Sequence, residues 1–493
     1  MTAPTAAPPA VELPWHRLDP RMMIIHPAYD LLRLLPALAI LLVTGRGEAT
    51  QLWITGAISA VVLVGRSLTW ATTRYRITAD RVELHSGVFQ KRRRSVPRDR
   101  IRTIDLTAKP LHRLLRLSTV EIGAGSTSDK DGLRLDAVSK AEAERLRRGL
   151  LHGAPAASPV RPVIRPPVQE LARLRWSWIR LAPLTFSSLA GIAALVGATM
   201  NLLHEADVDV TTVGPVTTAT DRLSHAPLWL GVLVLALLVI AVAAVGSTAL
   251  FVGRWTGYRL TREVGADGTS ALRVRGGLLT RRSLSVADDR LRGVEIVEPL
   301  LLRAGGGARA RALSAGLTKH AENGVLQPAV PVAEAHRVAA AALRADPAEI
   351  TLAPLRRHPR AALQRRLTRA MGPAAVAVVA GFGLGALLPE LSYLGPALLV
   401  LFPPAALLAV DRYRNLGHRL TAGYLVTRYG SLVRRTVALR RSGIIGWTVR
   451  QSPFQRRAGL VTLEAVTAAG RGGYPIVDLS VAEARALIDE AAR

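Results

Sequence analysis

Long apolar stretches, grouped as three pairs, are the first feature of the hydrophobic pattern. They cover about residues 28–43 and 52–70, 181–203 and 228–252, and 371–388 and 394–410. A helix crosses a bilayer with about 20 mostly apolar residues, so the pattern predicts six transmembrane helices. A buried core helix is the alternative for any single stretch, above all for the first, which is short and carries Asp30 and Arg33.

The segment after each pair has a different pattern, in which apolar and polar residues alternate. Val82 and Leu84, for example, alternate with Arg81, Glu83 and His85. A period of two is typical of strands with one buried face and one wet face. Each segment ends in a helical pattern, and strands followed by one covering helix predict a small α+β or barrel-like domain.

These three segments are copies of one unit. They open with equivalent runs at Tyr75–Thr78, Tyr258–Thr261 and His418–Thr421. A turn glycine follows in each copy, at Gly87, Gly277 and Gly430. Each copy closes with a helix that contains Ala-Glu-Ala, at Ala141–Ala143, Ala333–Ala335 and Ala482–Ala484. An internal repeat of this kind predicts one module built three times along the chain.

The copies differ in how regular they are. In the third, Ser480 and Glu483 match a capping box, in which a hydroxyl and a carboxylate satisfy free helical N–H groups. The first copy has the same pair, whereas the second has Pro331 at the cap. Glycines at 305–307 and an alanine-rich run to Leu313 replace the firm strand pattern in copy two, so we expect it to be the least regular.

Charge and composition indicate an anionic neighbour. Among 493 residues, 65 are Lys or Arg and 36 are Asp or Glu, which leaves a net charge of +29. Nucleic acid and an anionic membrane leaflet are both compatible with this excess. Because the mean hydropathy is +0.24 and the basic residues flank apolar stretches, the membrane is favoured and no nucleic-acid partner is expected. The chain has no cysteine, which excludes disulfides and thiolate chemistry.

The distribution of charge predicts an orientation. The loop inside the second pair, 204–227, is acidic, whereas the outer flanks of all three pairs are rich in arginine. An excess of Lys and Arg marks the cytoplasmic side of a membrane protein. The sequence therefore predicts a plasma-membrane protein with both termini and all three repeated domains in the cytoplasm.

The repeat resembles a known family. The run Tyr75–Thr78, the Ser86-Gly87 turn, the basic strand that ends Asp99-Arg100-Ile101, the stretch from Pro110 and the Ala-Glu-Ala helix are similar to the bacterial pleckstrin-homology (PH) domain of the YdbS-like membrane family. Copy three has the matching stretch Pro453–Leu460. The resemblance implies a split, strongly bent sheet capped by a C-terminal helix, and a binding module without a known reaction.

These patterns divide the chain into nine segments. We expect a disordered N-terminal tail and basic flank (1–27), transmembrane pair 1 (28–70), PH-like domain 1 (71–153), a Pro/Arg-rich linker (154–180), transmembrane pair 2 with its acidic outer loop (181–253), a degraded PH-like domain 2 (254–346), a basic linker (347–370), transmembrane pair 3 (371–410) and PH-like domain 3 (411–493).

Basic runs a few residues after each turn glycine are the best candidate site residues. They are Lys91, Arg92, Arg93, Arg94, Arg281, Arg282, Arg434 and Arg435. Arginine can bind phosphate with two parallel hydrogen bonds, and each cation near an anionic leaflet contributes about 1 kcal/mol of attraction. The alternatives are a solvated strand face paired with local carboxylates such as Glu83 and Asp99, or contact with a protein partner.

Catalytic chemistry finds no support in the pattern. The glycine-rich loops lack the Lys-Ser/Thr of a phosphate-binding loop, and no histidine pair has metal-ligand spacing, so we expect no enzyme, cofactor or metal. The leading hypothesis is a non-enzymatic membrane scaffold or adaptor that presents three PH-like domains to the inner leaflet or to envelope proteins. A role in envelope stress or defence is a further expectation from location and resemblance. The alternative is a transporter or exporter component whose six helices form a path gated by the PH-like domains.

Overall fold

The computed structural model describes residues 15–23, 70–78, 80–87, 91–101, 103–123, 133–151, 168–185, 228–265, 268–314 and 324–492, together with residues 25, 29, 65 and 68. Within them, three helical segments are long and apolar enough to cross a membrane: Trp229–Trp255, Arg360–Leu387 and Pro389–Arg414. The predicted stretches 28–43, 52–70 and 181–203 lie largely outside the described residues.

The three spans expose their apolar surface. At most 17% of the residues in any of their apolar windows are buried inside the protein. Side chains such as Ile240, Val379 and Leu387 are 63%, 71% and 79% exposed. A helix that is apolar all round and buries so little against its own chain requires an apolar solvent, which the bilayer supplies.

Copy one contains two groups of antiparallel strands. The first group is a four-stranded sheet of β1 (His16–Arg17), β2 (Arg74–Ile77), β3 (Arg81–Ser86) and β4 (Arg92–Pro97). A short 3-10 turn leads to the second group, which holds β5 (Thr103–Ala108), helix α1 (Pro110–Leu114), β6 (Leu117–Gly123), β7 (Leu133–Ser139) and the closing helix α2 (Lys140–Leu151). As predicted, α2 buries Ala143, Leu146 and Leu150, which cover the sheet.

Copy two repeats this order. Its elements are β8 (Val168–Arg173), the membrane helix α3 (Leu228–Trp255), β9 (Arg259–Val264), β10 (Ser270–Gly276), β11 (Arg281–Ala287), β12 (Leu291–Pro299), α4 (Leu300–Ala304), β13 (Gly307–Ser314), β14 (Val330–Pro331) and α5 (Val332–Leu343).

Copy three starts with its membrane helices. Its elements are α6 (Arg360–Leu387), α7 (Leu394–Leu398), α8 (Phe402–Arg414), β15 (Gly417–Leu420), β16 (Tyr424–Tyr429), β17 (Val433–Arg440), β18 (Ile444–Arg450), α9 (Pro453–Arg457), β19 (Leu460–Thr467), β20 (Gly473–Ser480) and α10 (Val481–Ala492). The capping box predicted for the last helix is confirmed: Glu483 N–H donates to Ser480 Oγ and the Glu483 carboxylate accepts from Ser480 N–H.

Sheets cross the boundaries between copies. A seven-stranded sheet has the order β7-β6-β5-β11-β10-β9-β8, and a six-stranded sheet has the order β14-β13-β12-β17-β16-β15. The second half of each copy therefore continues into the first half of the next one. Between copies two and three, buried side chains are exchanged as well: Val426 and Ala438 of copy three join the core of copy two, and Leu313 of copy two joins the core of copy three.

Each membrane segment is inserted into a sheet, where we had expected it only to precede one. β1 pairs with β2 and β8 pairs with β9, although the first and second apolar pairs lie between these strands in the sequence. Before the third pair, Arg356 forms an isolated bridge with His418 of β15. The segments 1–27, 154–180 and 347–370 were therefore wrongly predicted to hold only tails and linkers. β1 and β8 could not be predicted because they are short, have no clear alternation, and pair with strands that follow the apolar stretches in the sequence.

The expectation that copy two would be the least regular is wrong for its strand at 307–314. Gly307–Ser314 forms a continuous strand paired with β12. Its Ala308, Ala310 and Ala312 are at most 4% exposed and belong to the same core cluster as the alanines of α5. Small side chains on both surfaces allow helix α5 to approach strand β13 closely, so the alanine-rich pattern is explained by tight packing of the helix on the sheet.

Candidate functional site

Two strand pairs join neighbouring copies, and we call them joints. The first joint pairs β5 of copy one with β11 of copy two, and the second pairs β12 of copy two with β17 of copy three. Both have the same antiparallel register. Arg281 lies opposite Ala108 in the first joint, and Arg434, at the same distance from its turn glycine, lies opposite Glu298 in the second.

An ion pair recurs at the same place in both joints. Arg282 Nη2 lies 2.6 Å from Asp105 Oδ2, and Arg435 Nη1 lies 2.6 Å from Glu295 Oε1. The two arginines each follow their turn glycine by five residues, and the two carboxylates each follow Ile101 or its equivalent by four. Hydrogen bonds between charged groups are shorter and stronger than neutral ones, so each pair adds attraction to the backbone ladder beneath it.

The second joint has an additional pair. Arg434 binds Glu298 with both ends of its guanidinium, at 2.8 Å from Nε and 2.5 Å from Nη2. The Glu298 side chain is only 3% exposed. A carboxylate removed from water to this degree needs a paired cation, because the charge would otherwise be left without compensation.

A four-membered network reinforces the first joint. Arg147 of helix α2 lies 2.8 Å from Glu263 of β9, and Arg273 of β10 lies 2.8 Å from Glu144 of α2. Arg147 also pairs with Glu144 at 2.7 Å, and Arg273 with Glu263 at 3.0 Å. Each copy thus contributes one arginine and one glutamate, and each arginine contacts both glutamates. The two arginine side chains are 2% and 4% exposed, so the closing helix of copy one packs on the sheet of copy two.

The structure separates the predicted basic residues into two groups. Arg282, Arg434 and Arg435 lie in the joints, where their charge is matched by Asp105, Glu298 and Glu295, and Arg281 is exposed beside them. The pairing with carboxylates that the sequence left open is thus observed for these three, but the carboxylates belong to a neighbouring copy.

The basic run of copy one has a different setting. β4 is an edge strand among the described residues, because the four-stranded sheet has the order β1-β2-β3-β4. Lys91, Arg93 and Arg94 are exposed, and Arg92 lies in the same strand opposite Ser86. Arg93 is 3.8 Å from Glu83, whose pKa is lowered from its usual value by a hydrogen bond from Arg76, against the opposing effect of burial. This run remains a candidate contact surface.

A buried histidine pair at the base of the third membrane segment was missed in the sequence. His418 Nδ1 lies 3.1 Å from His358 Nε2, and His358 Nδ1 lies 2.8 Å from the carbonyl oxygen of Val477. Burial lowers the pKa of His358 and lowers that of His418 to about 4. The two residues are 60 positions apart, so no local spacing pointed to them.

The fold and these joints define a class of protein: a membrane protein in which repeated, helix-capped PH-like domains are joined through shared sheets. The chain belongs to the bacterial PH domain family, whose model matches residues 30–154, 201–346 and 374–493. This confirms the resemblance noted in the sequence.

A relative in Bacillus subtilis supports the same assignment. The UPF0699 transmembrane protein YdbS is 30% identical to this chain over 103 residues, which are 19% of this chain and 62% of YdbS. The match thus spans less than two thirds of that relative. No solved structure matches this chain.

The joints predict unequal effects for two equivalent arginines. Arg434→Ala removes the partner of the buried Glu298 carboxylate and should lower the free energy of unfolding by about 2–3 kcal/mol. Arg281→Ala is the matched control, since Arg281 is exposed opposite Ala108, and it should change stability by less than about 0.5 kcal/mol. Thermal unfolding of the full-length protein in detergent measures both. Equal losses in the two variants would contradict the role of the joint.

The histidine pair predicts a loss of stability in acid. Because the folded-state pKa of His418, about 4, lies below the unfolded value of about 6.5, the unfolded chain binds a proton first as pH falls. Stability from this site is therefore complete above about pH 6.5 and should fall by about 2 kcal/mol by pH 5. The measurement is the melting temperature between pH 7.5 and 5. The variant His418→Gln should show a shallower dependence; parallel curves for wild type and variant would contradict the assignment.

Proposed function

We propose that this protein is a non-enzymatic multi-pass membrane scaffold or adaptor. Six helices in three pairs would hold three PH-like domains on the cytoplasmic side of the bacterial plasma membrane. The domains would act together as a surface for the anionic inner leaflet or for the cytoplasmic parts of envelope proteins, with envelope stress or defence as the setting.

The observation that carries the proposal is the continuity of the sheets. Copies joined by β5–β11 and β12–β17 share hydrogen-bonded strands and ion pairs, and copies two and three also share a cluster of buried apolar side chains. Such an array keeps the three modules at fixed separations, because neighbouring modules are parts of one sheet. Modules held together raise each other's effective concentration at a surface, so that weak individual contacts become useful.

Two further features support the membrane part of the proposal. The chain on both sides of each apolar insertion is paired, as β1 with β2, β8 with β9 and Arg356 with His418, which attaches both ends of the insertion to a sheet. The exposed Lys91, Arg93 and Arg94 offer cations to an anionic leaflet, whereas Arg282, Arg434 and Arg435 are paired with carboxylates in the joints. Copy one therefore keeps three exposed basic side chains next to an edge of its sheet within the described part of the chain.

The proposed orientation predicts which sites a membrane-impermeant reagent can reach. The chain has no cysteine, so a single introduced cysteine reports one position only. In intact cells an impermeant maleimide should label Thr217→Cys, which lies in the acidic loop, and should leave Arg457→Cys, at the exposed end of helix α9 in copy three, unlabelled until the cells are opened. Labelling of Arg457→Cys in intact cells would reverse the proposed topology.

The scaffold proposal also predicts a lipid-dependent change at β4. In nanodiscs containing phosphatidylglycerol, the backbone amides of 92–96 should exchange hydrogen more slowly than in phosphatidylcholine, because each basic residue near the anionic surface contributes about 1 kcal/mol of attraction. The double variant Lys91→Glu/Arg93→Glu should lose this difference. Strand β18, which carries only Arg450 as a basic residue, is the internal control. Identical exchange in both lipids would remove inner-leaflet contact by this strand from the proposal.

A further inference from the structure

A basic cavity lies where the third membrane segment meets the third PH-like domain. Its volume is about 360 Å³, within the range of small-molecule sites. Four arginines line it: Arg365, Arg366 and Arg369 near the start of α6, and Arg412 near the end of α8. Gln455 and Thr462 of copy three also line the cavity.

One buried carboxylate organises the inner part of this cavity. Asp478 is fully buried and accepts hydrogen bonds from Arg365 at 2.7 Å, Arg366 at 3.0 Å and Gln455 at 2.9 Å. Its backbone has a φ of 63°, a left-handed conformation that non-glycine residues rarely adopt. Ala137, the equivalent residue of copy one, has the same φ but no carboxylate, so copies one and three share this backbone conformation and copy three adds the charge cluster.

The cavity has an excess of positive charge. Asp478 faces two of the four arginines, whereas Arg369 and Arg412 are exposed and form no ion pair within the described residues. The Nε atoms of Arg365 and Arg366 are buried and have no hydrogen-bond acceptor among those residues. With four arginines and one carboxylate, the site therefore carries about three uncompensated positive charges.

Its position relates the cavity to the membrane surface. The arginines of α6 end at Arg369, and the apolar part of the helix begins at Met371, only about 3 Å further along the axis at a rise of 1.5 Å per residue. Arg412 likewise follows the apolar part of α8. The opening thus lies at the level where two spans leave the apolar layer, which is the depth of phospholipid headgroups.

We infer that this cavity is a binding site for a phosphate group of an anionic phospholipid. Arg369 and Arg412 contact the phosphate from two helices, while Arg365 and Arg366, fixed by Asp478, supply the surrounding positive field. Paired arginines match phosphate geometry better than single ammonium groups do. The inference rests on the membrane spans of the proposed function, and it concerns a site separate from the basic strand β4.

Lipid titration of the full-length protein in detergent, followed by native mass spectrometry, tests the site with phosphatidylglycerol as the probe. The double variant Arg369→Gln/Arg412→Gln should bind this lipid at least about tenfold more weakly, which corresponds to a loss of about 1.4 kcal/mol. The matched control Arg357→Gln/Arg414→Gln removes the same charge from two exposed arginines that do not line the cavity. It should stay within about twofold of wild type. The melting temperatures of both variants should match that of wild type.

Competition distinguishes the source of the phosphate. Millimolar inorganic phosphate or glycerol 1-phosphate should leave the lipid bound, because these compounds lack the acyl chains that lie along the spans. Displacement by either compound would assign the cavity to a soluble phosphate and overturn the lipid assignment. Equal losses in the two double variants, or equal binding of phosphatidylcholine, would overturn the site itself. Neither result would alter the labelling pattern or the exchange at β4, so the failure of this inference is distinct from the failure of the scaffold proposal.

Discussion

Antiparallel pairing between strands of successive copies is the interaction on which the rest of this structure depends. An open sheet edge leaves a row of backbone N–H and C=O groups without partners, and such an edge invites unwanted association. Here the edge at β5 meets β11, and the edge at β12 meets β17, so each copy completes the sheet of the next. The arginine–carboxylate pairs set in the same register favour this alignment over a shifted one, since a shift by one residue would move every side chain to the other face.

The arrangement also determines how the membrane helices are held. Because the helices are inserted between paired strands, both ends of an insertion are attached to one sheet. In copy three, Arg365 and Arg366 of α6 bind Asp478 of β20, and His358 before α6 contacts His418 of β15. The base of the third membrane segment is therefore fastened to both halves of its domain through polar contacts. A change in the packing of these helices would be transmitted to strands at both ends of the copy.

Much of the module could be predicted from the sequence, because its landmarks are local. The turn glycines Gly87, Gly277 and Gly430 all have a positive φ, a conformation that glycine adopts readily. In copies one and three, the capping serine of the closing helix and the residue that it caps lie three positions apart. The joints could not be predicted in this way, since the periodicity of a strand does not say which strand will lie beside it. The signal for the joints was the recurrence of Arg282 and Arg435, and of Asp105 and Glu295, at the same positions of successive copies. To read it as an ion pair, one must also assume that one copy pairs with the next.

The ends of the array are chemically unlike each other. β4 carries Arg92 at the position that Arg282 and Arg435 occupy in the joints. At the opposite end, β18 has Thr448 where the joints have Asp105 and Glu295. A second molecule placed end to end in the same register would therefore bring an arginine to a threonine, and the recurring ion pair would be absent. The recurring arginine–carboxylate pair therefore favours pairing between copies of the same molecule, and it gives no such support to end-to-end pairing of two molecules.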